Sequence, residues 1–472
     1  MFIFGAQVNK GFGLGHFMKL NYGKLVHSAL LTAMLLGLLA LVDSTAKAEV
    51  HEFMDLQAHG TMHIPWPFFA PALQWIPEGK KVKEGHKHLF RNVMHADYYK
   101  NNSATRIVIN GAMVAERAIT KKQTVRLMLK QIEYIDQFVQ NNSEYFAVAR
   151  TPEEVRHLVA NTKKTIFIHS IEGGRKLLDG PEDAQFWASK GVAFVTLIHL
   201  LDDEYGHSAI TPDGITPLIN LGGTISRAVQ KNKRRGLTEK GKKAIKWLAD
   251  AGILTDLTHM ALPSVDDALA VMEKEGIPPL HTHSFYQPLQ NHDRGLSDEQ
   301  LLRTYKLGGL FSTPIGGNNL FVYRPTDEGR KIVEQFQAEK GEICEDSLDN
   351  YVLTFNAVRN FLKTNQQEIA ESSGKQQASE LDIAIGWQSD FNGWVDHSKP
   401  KFGKKGCHQE KASGPVRKVD TVGLAHPGML GEYWAALEEE GMHTESLRFA
   451  SEKFLQMWEK VRARSQKLES KK

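Results

Sequence analysis

The sequence predicts an α/β fold: a (β/α)8 barrel of the TIM type with long insertions in its βα loops. Three observations carry that expectation. Eight short, β-rich apolar runs alternate with longer amphipathic segments, and such alternation implies parallel βαβ units. Eight units favour a closed barrel over an open sheet, because closure removes both edges. The 472 residues suit one such domain carrying insertions.

The runs read as strands are 53–59, 105–110, 165–171, 192–199, 253–259, 279–283, 308–313 and 382–390. Between the fifth strand and the one before it, residues 238–251 form a helix opened by Thr238 as N-cap and closed by Gly252. Residues 297–306 form another, opened by Ser297 with Gln300 three residues on, the capping-box spacing. Composition is that of an ordinary globular chain, 41% hydrophobic and 24% charged. A net charge of +3 spread over this length gives no footprint for nucleic acid as a partner.

The N-terminus reads as an export signal over residues 1–48. Residues 25–42 are nearly all apolar, follow Lys19 and Lys24, and precede Ala46-Lys47-Ala48, a small-x-small cleavage triplet before Glu49. Met18 makes a more ordinary start than Met1 for such a signal. Cleavage releases a protein with no stable membrane span into the periplasm or the extracellular space. The alternative is an uncleaved N-terminal helix that anchors the chain in the membrane. An oxidising compartment would permit a disulfide between Cys344 and Cys407, and two unpaired thiols are equally open. Residues 49–462 are expected to form the barrel domain, and 463–472 a polar, frayed tail.

The last polar residues of the apolar runs are of one chemical kind: His59, Glu172, His199, His259, His283 and Asp390. In a (β/α)8 barrel the C-terminal strand ends converge on one face, where active sites sit. A lone histidine at such a position is usually a hydrogen-bonded rim residue. Four histidines and two carboxylates at matching positions point instead to a metal site, since imidazole nitrogen and carboxylate oxygen are the donors Zn2+ takes.

Those residues sit in recurring motifs. They include Ile171-Glu172-Gly173-Gly174, residues 195–199 (VTLIH), 236–241 (GLTEKG), 253–259 (ILTDLTH), His281-Thr282-His283-Ser284, residues 293–297 (DRGLS) and 386–393 (GWQSDFNG). His426-Pro427-Gly428 follows, ahead of residues 454–458 (FLQMW). In this order, over roughly residues 50–462, the chain resembles the membrane (renal) dipeptidase family, peptidase family M19. The resemblance implies a metal-dependent barrel with a binuclear zinc site that hydrolyses the peptide bond of dipeptides by a metal-activated water. It places Glu172 as the bridging carboxylate and His259 and His283 as the imidazoles of the second metal. It gives His199 the role of polarising the scissile carbonyl and Asp390 that of handling the proton of the attacking water. Arg294 would hold the free carboxylate of a short peptide substrate, which suits a planar guanidinium.

The chain departs from that family at the first metal. The family supplies His-x-Asp at the end of strand one, where this chain has Gln57-x-His59. Thr61-x-His63 is a rival alignment, and His95-x-Asp97 has the expected residue types some 30 residues late. Glutamine's neutral amide oxygen is a poor zinc ligand. Three outcomes follow: a weakened binuclear site on Gln57 and His59, a mononuclear site on Glu172, His259 and His283, or a site rebuilt with His63. Two further readings stay open: an amidohydrolase acting on other amides or lactams, and a metal-poor binding protein. A homodimer is compatible with the sequence. Residues 204–235 and 399–417 are long connections bearing basic runs, the usual mark of solvated loops, placed where they can border the mouth of the site.

Overall fold

The computed structural model describes residues 49–470 apart from 61, 64–72, 75–95, 101–103, 114–119, 213–215, 232, 316–320, 392, 394, 396 and 410–416. The expected signal over 1–48 and the candidate His95 lie outside the described residues, as does the side chain of His63. Residues Val50–Lys472 form one compact unit.

Eight parallel strands close into the barrel: β1 (Phe53–Ala58), β2 (Thr105–Met113), β3 (Thr165–Glu172), β4 (Val192–Thr196), β5 (Leu254–Asp256), β6 (Leu280–His281), β7 (Leu310–Pro314) and β8 (Ile385–Gln388). Each pairs with its neighbour in sequence, and β1 pairs with β8 through Asp55 and Trp387, so no barrel edge is left open. The strands form because their apolar residues are buried on both faces, inside against the barrel core and outside against helices. In β3 all eight residues are buried.

A ninth strand, Phe146–Ala149, escaped the sequence reading. It pairs with the first half of β3, on the edge that β4 takes over from His169 onward. Its four residues are too few for a periodicity to register. The strands also end sooner than the apolar runs do. The fifth run stops pairing at Asp256, and Leu257, Thr258 and His259 leave the sheet as a turn.

Three features beyond the barrel bear on the site. Cys344 and Cys407 form a disulfide that ties the start of helix Leu348–Thr364 to the loop after β8. The expected fraying after residue 462 is replaced by helix, because Glu445–Glu469 runs on through that stretch. Arg464 holds it there, with its guanidinium 2.6 Å from Asp250 and 2.9 Å from Glu275. The connection after β4 folds into two short helices, Thr216–Ile219 and Leu221–Val229, instead of an open loop.

Candidate metal centre and substrate cleft

β3 ends on Glu172, and the chain then turns at Gly173 with φ of 97°, a left-handed conformation suited to glycine. Gly174 passes so close to β4 that a Cβ there would lie 2.5 Å from the Leu197 carbonyl oxygen. Two other site residues carry side chains in the left-handed region, His259 at φ 69° and Asp390 at φ 51°. Non-glycine residues occupy that region at a cost of about 1–3 kcal/mol. Here it re-aims both side chains over the barrel mouth.

The six strand-end residues meet in one buried cluster around Glu172. Its Oε1 lies 3.2 Å from His283 Nε2, 3.3 Å from His259 Nε2 and 3.8 Å from His199 Nε2. His259 and His283 face each other Nε2 to Nε2 at 2.9 Å. The other oxygen, Oε2, lies 3.2 Å from His59 Nε2, which is itself 3.1 Å from Asp390 Oδ1. Glu172 therefore presents one oxygen to each of two donor sets. One comprises Glu172, His199 and His259, with His283 beside them; the other comprises His59, Glu172 and Asp390. With bonds of about 2.0–2.1 Å, neighbouring ligand atoms around a tetrahedral zinc sit roughly 3.3–3.4 Å apart. The spacings around both oxygens of Glu172 come close to that edge length.

The imidazoles are oriented by their other nitrogens. Thr282 donates its single hydroxyl proton to Asp256 Oδ2 at 2.7 Å. Its oxygen can then only accept from His283 Nδ1, 2.9 Å away. That leaves His283 Nε2 bare, the tautomer a metal requires. His59 Nδ1 donates to the Gly111 carbonyl at 2.7 Å, so a neutral His59 likewise presents a bare Nε2. That Nε2 faces two carboxylate oxygens, an arrangement that demands a cation between them, either a proton or a metal.

Electrostatics follow from burial and these contacts. Burial works against charge on Glu172, but His199, His259, His283 and His59 hold its carboxyl well below the usual range. Burial and the nearby Arg294 guanidinium push His259 well below the ordinary imidazole value. Burial opposes protonation of His59, yet Asp390 and Glu172 raise it to about 10.

Gln57 is wholly buried at the edge of the second donor set, its Nε2 3.5 Å from His59 Nε2. Its Oε1 has no hydrogen-bond partner among the described residues. Gln57 and His59 fit because residue 111 on β2 is glycine: a Cβ there would lie 2.4 Å from Gln57 Nε2 and 2.9 Å from His59 Cε1.

Arg294 arrives from the loop after β6. Its Nη2 donates to the His283 carbonyl at 2.9 Å and lies 3.2 Å from His259 Nε2, with the guanidinium 5.0 Å above the Phe285 ring. It is thus part of the wall over the first donor set.

The supporting shell was not anticipated from sequence. Asp256 accepts from the hydroxyls of Thr196, Thr258 and Thr282 at 2.6–2.7 Å and from two backbone amides, tying the ends of β4, β5 and β6 together. Asp55 does the same between β1 and β8, accepting from Ser389 N at 2.9 Å and Ser389 Oγ at 2.5 Å. Burial raises the Asp55 carboxyl to about 7 despite those donors. The signal was present as carboxylates inside apolar strands, where a buried charge must find partners.

The family model for membrane dipeptidase (peptidase family M19) matches residues 91–320. The chain is 25% identical over 189 residues to dipeptidase ataJ of Aspergillus terreus, an alignment covering 40% of this chain and 45% of that one. It is 22% identical over 213 residues to dipeptidase verJ of Clonostachys rogersoniana, covering 45% and 48%. The chain thus spans about half the length of the curated relatives it matches. Among solved structures, a metallo peptidase from Rhodobacter sphaeroides, liganded with a phosphinate mimic of the dipeptide L-Ala-D-Ala, superposes with a TM-score of 0.54 at 14% identity, covering 88% of this chain and 100% of that one. Dipeptidase AC, a family M19 metallo peptidase, gives 0.52 at 16% identity, covering 78% and 89%. These likenesses confirm the (β/α)8 barrel. Over residues 91–320, just under half of its length, the chain is similar to the membrane dipeptidase family, peptidase family M19.

Proposed function

We propose that the protein is an exported, zinc-dependent dipeptidase acting on short peptides with a free C-terminal carboxylate. The observation that carries this reading is the Glu172 carboxylate with one oxygen in each of two histidine-containing donor sets. A carboxylate so placed can bridge two cations. Glu172, His259 and His283 would hold one ion, with the bare Nε2 of His283 already aimed. His59 and Glu172, with Gln57 at their edge, would hold the second, and Asp390 stands beside His59 to handle protons. A bound divalent ion supplies Lewis acidity towards a scissile carbonyl and a water with a pKa lowered towards neutrality.

The chain's own residues do the rest. Arg294 binds the substrate's terminal carboxylate in a two-pronged contact and fixes the peptide bond over the cluster. His199, whose Nε2 stands 3.8 Å from Glu172 Oε1 and so farther out than its neighbours, donates a hydrogen bond to the carbonyl oxygen as negative charge develops there. The Asp390 carboxylate takes the proton of the attacking water and passes it to the departing amine.

Export through cleavage of residues 1–48 accords with the Cys344–Cys407 disulfide, since such bonds persist in oxidising compartments. Among the described residues no helix is long and apolar enough to cross a membrane. An amidohydrolase acting on other amides or lactams would offer Arg294 no substrate carboxylate. The test is therefore hydrolysis of matched dipeptides as free acids and as C-terminal amides. The proposal expects turnover of the acid and little of the amide. Equal rates would remove the case for a dipeptidase and favour the broader amidohydrolase.

A further inference from the structure

Seven large apolar side chains are exposed among the described residues, and four of them lie in the connection after β4. Leu218, Leu221, Ile225 and Val229 are 56, 54, 54 and 76% exposed. The last three are spaced by four residues along helix Leu221–Val229, so they form one stripe. The opposite side of the helix is fastened to the rim of the site. Arg227 on that side donates to the Ser208 carbonyl and lies 3.4 Å from Asp293, the residue before Arg294. Ala209, next to Ser208, donates its amide to the His259 carbonyl at 2.7 Å. The stripe is thus held outward on a rigid mount beside the mouth. Such a patch, on the order of 400 Å2, is comparable to the largest apolar patch on a monomer, which is often functional.

Charge identifies what it meets. Residues 214–238 contain no acidic side chain and five basic ones, Arg227, Lys231, Lys233, Arg234 and Arg235. Arg227 and Arg234 are engaged by Asp293 and Asp267. Lys231 and Lys233 are exposed at the end of the stripe and form no ion pair among the described residues. An apolar helix face flanked by free lysines is the composition that settles into the headgroup boundary of an anionic bilayer. A second copy of the chain is a poor fit, because a two-fold contact would set the same basic segment against itself.

We propose that helix Leu221–Val229, with Leu218, Lys231 and Lys233, docks the protein on an anionic phospholipid surface and so sets the mouth of the site beside the membrane.

Both native cysteines are paired, so a cysteine introduced as Ile225→Cys in the full chain can carry a polarity-sensitive fluorophore. The proposal expects a blue shift of its emission with phosphatidylglycerol-containing vesicles and none with pure phosphatidylcholine. The same label at Lys331→Cys, on the exposed side of helix Asp327–Lys340, should not shift. Lys231→Gln with Lys233→Gln should weaken vesicle binding at residue 225 on the order of tenfold or more. Binding through the N-terminal apolar segment alone would leave the label at 225 unshifted and would overturn the proposal. A shift that rises with protein concentration without lipid would overturn it in favour of a second copy.

Discussion

Thr282 has one hydroxyl proton, and its donation to Asp256 decides the tautomer of the neighbouring His283. Replacing Thr282 with Val keeps the shape, removes the acceptor for His283 Nδ1 and takes one donor from Asp256. Metal affinity should fall 10–100-fold, as for other shell residues that orient a ligand; competition with a chelator of known affinity would measure it, and unchanged affinity would dismiss the role. Arg294 lies over the same donor set. Arg294→Met keeps the stem packing and removes the charge, so KM for free-acid dipeptides should rise while kcat changes little, if the contact is equal in ground and transition states. A fall in kcat at constant KM would place Arg294 in the transition state instead. The primary residues of the cluster were legible because histidine and carboxylate ended apolar runs. The contact between His59 and Asp390 was not, since 331 residues separate them and only barrel closure brings β1 against β8.

Strands deliver the site, and their exact ends matter more than their lengths. The alternation of apolar runs located all eight barrel strands, but it could not tell where pairing stops and an aimed loop begins. His199, His259, His283 and Asp390 all lie beyond the last paired residue, in turns whose geometry depends on buried hydrogen bonds to Asp256 and Asp55. The helix after β4 was hidden for a similar reason: its outward face is apolar, so it lacks the usual amphipathic reading of a solvated connection. At this scale Gly111 on β2 is the most exacting position. Gly111→Ala would drive a methyl group into Gln57 and His59, with a stability loss of about 1–3 kcal/mol for an overpacked core. Denaturant unfolding should register that loss, together with weaker metal binding. An alanine variant as stable as the parent would mean that β1 shifts freely, and that the donor set with His59 is loosely held.

Residues Val50–Lys472 form a closed barrel with the candidate metal cluster at its C-terminal strand ends and the C-terminal helix packed against its strands. Glu452 on that helix accepts from Val50 N at 2.8 Å and pairs with Arg156 at 2.7 Å, which fastens the segment before β1 to the C-terminal helix. The disulfide spans 63 residues of sequence. In the chain-entropy view a loop of that size stabilises the fold by about 4 kcal/mol. Thermal unfolding with and without reductant should show a lower Tm on reduction, and no change would mean that the bridge does not limit unfolding. Length and alternation disclosed this architecture, whereas the pairing of the two cysteines could not be read without the fold. We propose that Glu172 links two ion sites used for dipeptide hydrolysis. The most direct test is to strip the purified protein with a chelator, restore Zn2+ in steps, and follow bound metal and dipeptide turnover together. Two equivalents bound per chain, with turnover returning as they bind and Glu172→Gln losing both, is the predicted result. A chain that hydrolyses dipeptides equally well when stripped, or that takes up no zinc at these residues, would contradict it.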